Sequence, residues 1–300
     1  MRLIAVPVLL VTLTLWAGNW IVGRAVREAV APGLATAGRL LIVIAILAPF
    51  CARALARALP ALSARDWRLI AALAFFGGGV HLALQWLGLR YTTATSGVLY
   101  LSTSPLFILL LARPVLGEAV GVRQWLGVAL SFAGVAVIAA EGDWRRLAAL
   151  SFNVGDVLAL TSMAMWAAYT VLLPRRRDAL TTVQFLVLLC LLGLGWLAPW
   201  LAVEAALGAL AAPDAVALAA MLYSGVGSLL VAYAGWSWAV ERLGAARAGV
   251  TIHLVPAIGV GLAALFLDER PQPYHGGGIA LVLAGVTLAN LRSATAVRSP

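Results

Sequence analysis

The 300-residue chain is 63% hydrophobic and only 11% charged, with a mean hydropathy of +0.99. A water-soluble fold of this length could not hide that much apolar surface, so the bilayer is its solvent and a separate soluble domain is excluded. The net charge of +9 comes from 21 arginines, with no lysine. In a soluble protein it would suggest nucleic acid, but here its placement reads as membrane topology.

Ten apolar spans are expected, at about 3–23, 33–52, 67–89, 93–112, 123–140, 155–173, 181–203, 215–239, 246–267 and 275–292. The breaks carry turn or charge signals: Pro32, the basic stretch from Arg53 to Trp67, Glu141, Pro174 and Asp268. The first span resembles a signal peptide, but no small-residue cleavage site follows it, so it reads as a true helix. With a cytoplasmic N-terminus, 14 arginines lie on inner segments and 6 on outer ones, while Arg39 alone sits inside a span. Both termini are therefore expected in the cytoplasm.

The chain also repeats itself at an offset of about 150 residues. Trp16 pairs with Trp166, Trp86 and Arg90 with Trp238 and Arg242, and Pro105, Glu118, Gly127 and Gly134 with Pro256, Glu269, Gly278 and Gly285. Five spans per half is an odd number, so the halves enter the membrane from opposite sides. The expected fold is all-α, with ten transmembrane helices as two inverted five-helix repeats (1–145 and 146–300) around a central cavity.

An ionisable group inside a span is a functional candidate by default. No Asp or Glu falls near the middle of a predicted helix, which argues against proton-coupled efflux of organic cations. His81 follows three glycines, Gly77 to Gly79, and precedes Gln85 by one turn; it and His253 read either as ligand contacts or as packing histidines. Arg39 either snorkels to the interface or draws a substrate carboxylate inward. Ser102, Thr103 and Ser104 precede Pro105 and either line a cavity or satisfy backbone that the proline frees. Pro105 and Pro256 are candidate hinges. The glycine pairs at seven-residue spacing suit tight helix packing. Cys51 and Cys190 read as packing residues, and no metal or cofactor motif occurs.

The LWAGNW stretch at Leu15, Arg39, the RYTTATSGVLYLSTSPLF run into Glu118, the NVGDVLALTSMAMWAAY opening of the second half, and the ERLGAARAGVTIHLVPAIGVG run toward Glu269 together resemble EamA-type members of the drug/metabolite transporter superfamily. Two copies of Pro followed thirteen residues later by Glu are the most specific element. Within the superfamily the chain is most similar to bacterial aromatic amino-acid exporters. The resemblance implies a multi-pass inner-membrane protein, monomer or weak homodimer, whose cavity is lined by Trp16, Asn19, His81, Tyr100, Ser104, Trp166, Tyr169, Ser228, Tyr233 and His253. It also implies peripheral fifth and tenth helices. The expected activity is export of neutral amino acids, aromatic ones included, by facilitation or exchange. A proton-coupled multidrug exporter and, more remotely, an intramembrane enzyme using Ser102 or Ser104 with a histidine are the alternatives.

Overall fold

A computed structural model describes residues 2–91, 100–141, 143–149, 153–176, 180–266 and 272–290, and among these every regular element is helical. Eight stretches are long and apolar enough to cross a membrane. Helices suit that setting because their backbone groups are satisfied internally. The first half holds α1 (Arg2–Ala25), α2 (Pro32–Ala58), α3 (Ala64–Gly77), α4 (Gly79–Tyr91), α5 (Ser104–Leu116) and α6 (Val122–Ala140). A short α7 (Trp144–Ala148), which the sequence did not announce, leads to the second half. There α8 (Val154–Leu172), α9 (Thr182–Ala206), α10 (Ala215–Tyr223), α11 (Ala232–Leu243), α12 (Ala245–Val250), α13 (Leu254–Phe266) and α14 (Pro273–Asn290) follow. The expected fourth span lies partly outside the described residues, as does Glu269.

Three expected spans are interrupted. The third breaks at Gly78, whose φ of −102° and ψ of −113° are not helical, so α3 and α4 are separate segments. The eighth passes through a π-helix at Ser224–Val231 between α10 and α11, and the ninth through a 3₁₀ turn at Thr251–His253 between α12 and α13. Both candidate hinge prolines fall in the first turn of a new segment, Pro105 in α5 and Pro256 in α13. There a missing N–H costs no intrahelical bond.

Each helix of the first half packs chiefly on the second half: α1 on α11 and α13, α2 on α9, α4 and α5 on α8, and α6 on α14. The chain is thus interlaced across its midpoint rather than folded as two bodies side by side. In the α6–α14 pair the glycines meet reciprocally. A Cβ on Gly127 would stand 2.6 Å from the Gly285 carbonyl, and one on Gly134 2.6 Å from the Gly278 carbonyl. The two helices run antiparallel at backbone contact, as the glycine spacing anticipated.

Carboxylates cap helices across the same divide. Ala31, at the N-cap of α2, offers no side-chain acceptor; instead Glu204, near the end of α9, accepts from Gly33 N at 2.8 Å, Leu34 N at 3.1 Å and Trp200 Nε1 at 2.8 Å. Glu118 accepts in the same way from Ala245 N and Ala246 N at 3.2 Å, at the start of α12. Orphan N–H groups at a helix start, with their positive dipole end, favour an anion. Glu204→Ala is expected to destabilise the protein by roughly 1–3 kcal/mol, because three donors lose their partner at a largely buried site. Glu204→Gln, keeping one acceptor, loses less; thermal melting of the detergent-solubilised protein ranks the two.

Candidate functional site

At the crossing of α1, α4, α8 and the π-helix lies a cavity of about 40 Å³, room for a few water molecules. Six of the ten resemblance-derived positions line it: Trp16, Asn19, His81, Trp166, Ser228 and Tyr233. Trp20, Leu82, Gln85, Leu101, Met163 and Ile252 complete the wall. Of these only Gln85 carried a signal in the sequence, its position one turn beyond His81.

The wall is an aromatic cluster in which Trp166 is the hub. Its ring lies 5.0 Å from Trp16, 5.1 Å from Tyr169, 5.2 Å from Tyr233, 5.6 Å from His81 and 5.7 Å from Trp236, centroid to centroid. Edge and offset arrangements at these distances are favourable beyond their buried area. Three of the rings have their polar atom tied to backbone or hydroxyl, whereas the Tyr169 hydroxyl is buried without a hydrogen-bond partner. Trp16 Nε1 donates to the Ser228 carbonyl at 3.2 Å, inside the π-helix, where the helical ladder is shifted. Tyr233 Oη donates to the Gly77 carbonyl at 2.6 Å, and Trp236 Nε1 to Thr170 Oγ1 at 3.2 Å. The glycine run before His81 has a steric reason as well. A Cβ on Gly77 would lie 2.3 Å from the Tyr169 ring, and one on Gly79 2.2 Å from the Gly193 carbonyl.

Two polar residues of the wall, Asn19 and His81, join helices. Ser224 Oγ donates to Asn19 Oδ1 at 2.6 Å, linking α1 to the π-helix. His81 Nδ1 lies 2.8 Å from the Ser162 carbonyl and 2.9 Å from its hydroxyl. A carbonyl only accepts, so Nδ1 carries the proton and the hydroxyl is left to the His81 carbonyl at 3.2 Å.

Four expected lining residues stand elsewhere. Tyr169 is fully buried behind Trp166. Ser104 is fully buried one layer back, its hydroxyl on Met163 Sδ at 3.1 Å, so it supports the wall through a residue that forms it. Tyr100 is half-buried against the core, and its neighbour Leu101 faces the cavity instead. His253 is fully buried: Nε2 donates to the Ser102 carbonyl at 2.8 Å and Nδ1 faces the Ser131 hydroxyl on α6. It fastens the 3₁₀ turn to the segment before α5 and to the α6–α14 pair, the packing alternative of the sequence reading. Among the described residues no carboxylate lines the cavity.

Arg39 does not snorkel. It is 1% exposed, with Nη2 donating to the Leu82 carbonyl at 3.1 Å and to Thr36 Oγ1 at 3.3 Å, and its guanidinium lies 5.1 Å from the Trp86 ring centroid. The inward course of the side chain follows from those acceptors and from the aromatic face, which together outcompete a route to the interface.

Comparison with known proteins agrees with this architecture. A protein from Archaeoglobus fulgidus named an uncharacterized transporter is 30% identical over 294 residues, 95% of this chain and 96% of its own. A probable terminal-alkyne amino-acid exporter from Streptantibioticus cattleyicolor is 28% identical over 230 residues, covering 77% of this chain and 75% of its own. A crystal structure with 19% sequence identity superposes with a TM-score of 0.74 over 95% of this chain and 96% of that one, a likeness of fold. The EamA-like transporter family matches twice, over residues 3–140 and 153–291. With both halves matched and a full-length transporter relative at 30% identity, the protein belongs to the EamA-like transporter family.

Proposed function

We propose that this protein is a secondary transporter that exports neutral amino acids, aromatic ones included, across the bacterial inner membrane by alternating access, through facilitation or exchange. The observation that carries the reading is the cavity itself: clustered Trp and Tyr rings with Asn19, His81, Gln85 and Ser228 and, among the described residues, no carboxylate. Aromatic walls suit a planar or apolar side chain, and a few placed polar groups suit a zwitterionic head. The S. cattleyicolor relative, named as an amino-acid exporter, supports the substrate class.

The moving parts in this reading are two inverted five-helix repeats of a ten-span bundle with both termini in the cytoplasm. Its support lies in contacts that a twofold axis in the membrane plane would produce. Repeat mates Trp16 and Trp166 touch each other. So do Ser102 and His253, offset by 151. Gly127 meets Gly285 while Gly134 meets Gly278, the reciprocal pattern of a self-complementary interface.

The test is uptake of radiolabelled phenylalanine, tryptophan and threonine and of a quaternary ammonium dye into proteoliposomes, with and without an imposed pH gradient. Saturable amino-acid flux independent of the gradient is expected. Dye flux that follows the gradient would instead favour the multidrug reading, since aromatic faces also bind organic cations.

A further inference from the structure

Among the described residues, the Arg39 charge sits in the bundle without a counter-charge. The side chain is 1% exposed, none of the described carboxylates pairs with it, and its Nε has no hydrogen-bond partner. Its three contacts, the Leu82 carbonyl, the Thr36 hydroxyl and the Trp86 face, are neutral. Neutral acceptors orient a guanidinium but do not cancel its charge, and an unpaired buried charge is among the most destabilising features a fold can carry. A Met or Leu at this position would pack the same space without that penalty.

The place of the charge gives a reason for keeping it. Leu82, whose carbonyl Arg39 holds, is itself part of the cavity wall, one residue after His81. Arg39 itself stands one layer behind that wall, held against its back by the Leu82 carbonyl and the Trp86 face. The cavity therefore sits in an uncompensated positive field within a low-dielectric surround, where a charge acts far more strongly than in water.

We infer that Arg39 is the anion-recognition element of the transport cavity: the substrate carries a carboxylate, which the Arg39 guanidinium neutralises while the aromatic cluster holds the side chain. This rests on the aromatic-cavity reading above and narrows it to carboxylate-bearing substrates. A planar fork with an unused donor matches a carboxylate in geometry as well as charge. The same field disfavours a cation with no acid to offset it, which separates the site from that of a cation exporter.

The experiment compares the full-length protein with Arg39→Met and Arg39→Lys, using four probes: phenylalanine, phenylalaninamide, phenyllactate and a quaternary ammonium dye. Melting of the detergent-solubilised protein with and without each probe is read beside flux in proteoliposomes. Arg39→Met is expected to melt higher than the native protein when no probe is present. Its affinity for phenylalanine and phenyllactate is expected to fall by about tenfold to a hundredfold, while any response to phenylalaninamide stays unchanged. Arg39→Lys should keep part of the carboxylate response. Arg39→Met that melts lower and retains the phenylalanine response would overturn the inference and make the arginine structural. Equal losses for acid and amide would overturn it too. Binding of phenyllactate but not phenylalanine, lost in Arg39→Met, would keep the inference and reject the amino-acid reading. Dye transport indifferent to Arg39 would reject both.

Discussion

Trp166→Ala is expected to abolish saturable transport while leaving a membrane-inserted protein. The substitution removes the ring on which Trp16, His81, Tyr169, Tyr233 and Trp236 all pack and opens a void in the cavity wall. Loss of a buried large aromatic costs about 3–5 kcal/mol in a packed interior. If even about 3 kcal/mol of that is withheld from the substrate-bound state, flux per folded molecule falls by roughly a hundredfold. Trp166→Phe keeps an aromatic face and should retain part of the activity. Trp144→Ala, at a site 59% exposed, should be neutral within about 0.5 kcal/mol. Flux measured per monodisperse protein separates a transport defect from poor folding, and undiminished flux in Trp166→Ala would remove this cavity from the transport path.

Gly285→Leu should strongly destabilise the protein. A Cβ there would stand 2.5 Å from the Gly127 carbonyl and 2.5 Å from Ser131 N. Both are backbone atoms, so relief requires α6 and α14 to separate rather than a side chain to turn. Overpacking of this kind costs about 3 kcal/mol. The damage should spread, since Ser131 also holds His253. Gly276→Leu, earlier on α14 and facing open space, serves as the control and should melt like the native protein. Equal melting of the two variants would show that the α6–α14 contact is not maintained in the membrane.

The spacing of Gly127, Gly134, Gly278 and Gly285 announced a close helix contact because only glycine permits backbones to touch, and the structure supplies that contact. The repeated Pro and Glu could be seen as a pattern but not understood. Their roles depend on partners more than a hundred residues away: Glu118 on the start of α12, and Pro105 at a restart of helix whose preceding carbonyl, that of Ser102, is taken by His253. Glu204 looked like an ordinary residue at the end of a span, and nothing local reveals that it caps α2. For the cavity, the family resemblance pointed to Trp16, Trp166 and Tyr233, and equally to Tyr100 and Tyr169, which are not in its wall. Leu82, Leu101, Met163 and Ile252 carry no such mark, since an apolar residue in an apolar helix faces lipid, core or cavity with the same composition.

By itself the sequence determined the solvent, the all-helical class, the duplication and the absence of acid from the middle of the predicted spans. Each of these is written in composition and period, and a backbone in hydrocarbon has few other ways to satisfy its hydrogen bonds. Only the tertiary structure decided which face of each helix turns inward. It placed His81 on the cavity wall and buried His253 as a fastener between helices, and it turned Arg39 inward where the sequence allowed it to reach water. The physical reason is the same in every case. Hydrophobic patterning, which sorts inside from outside in water, is nearly silent inside a bilayer, so close packing and buried hydrogen bonds between distant segments settle the site.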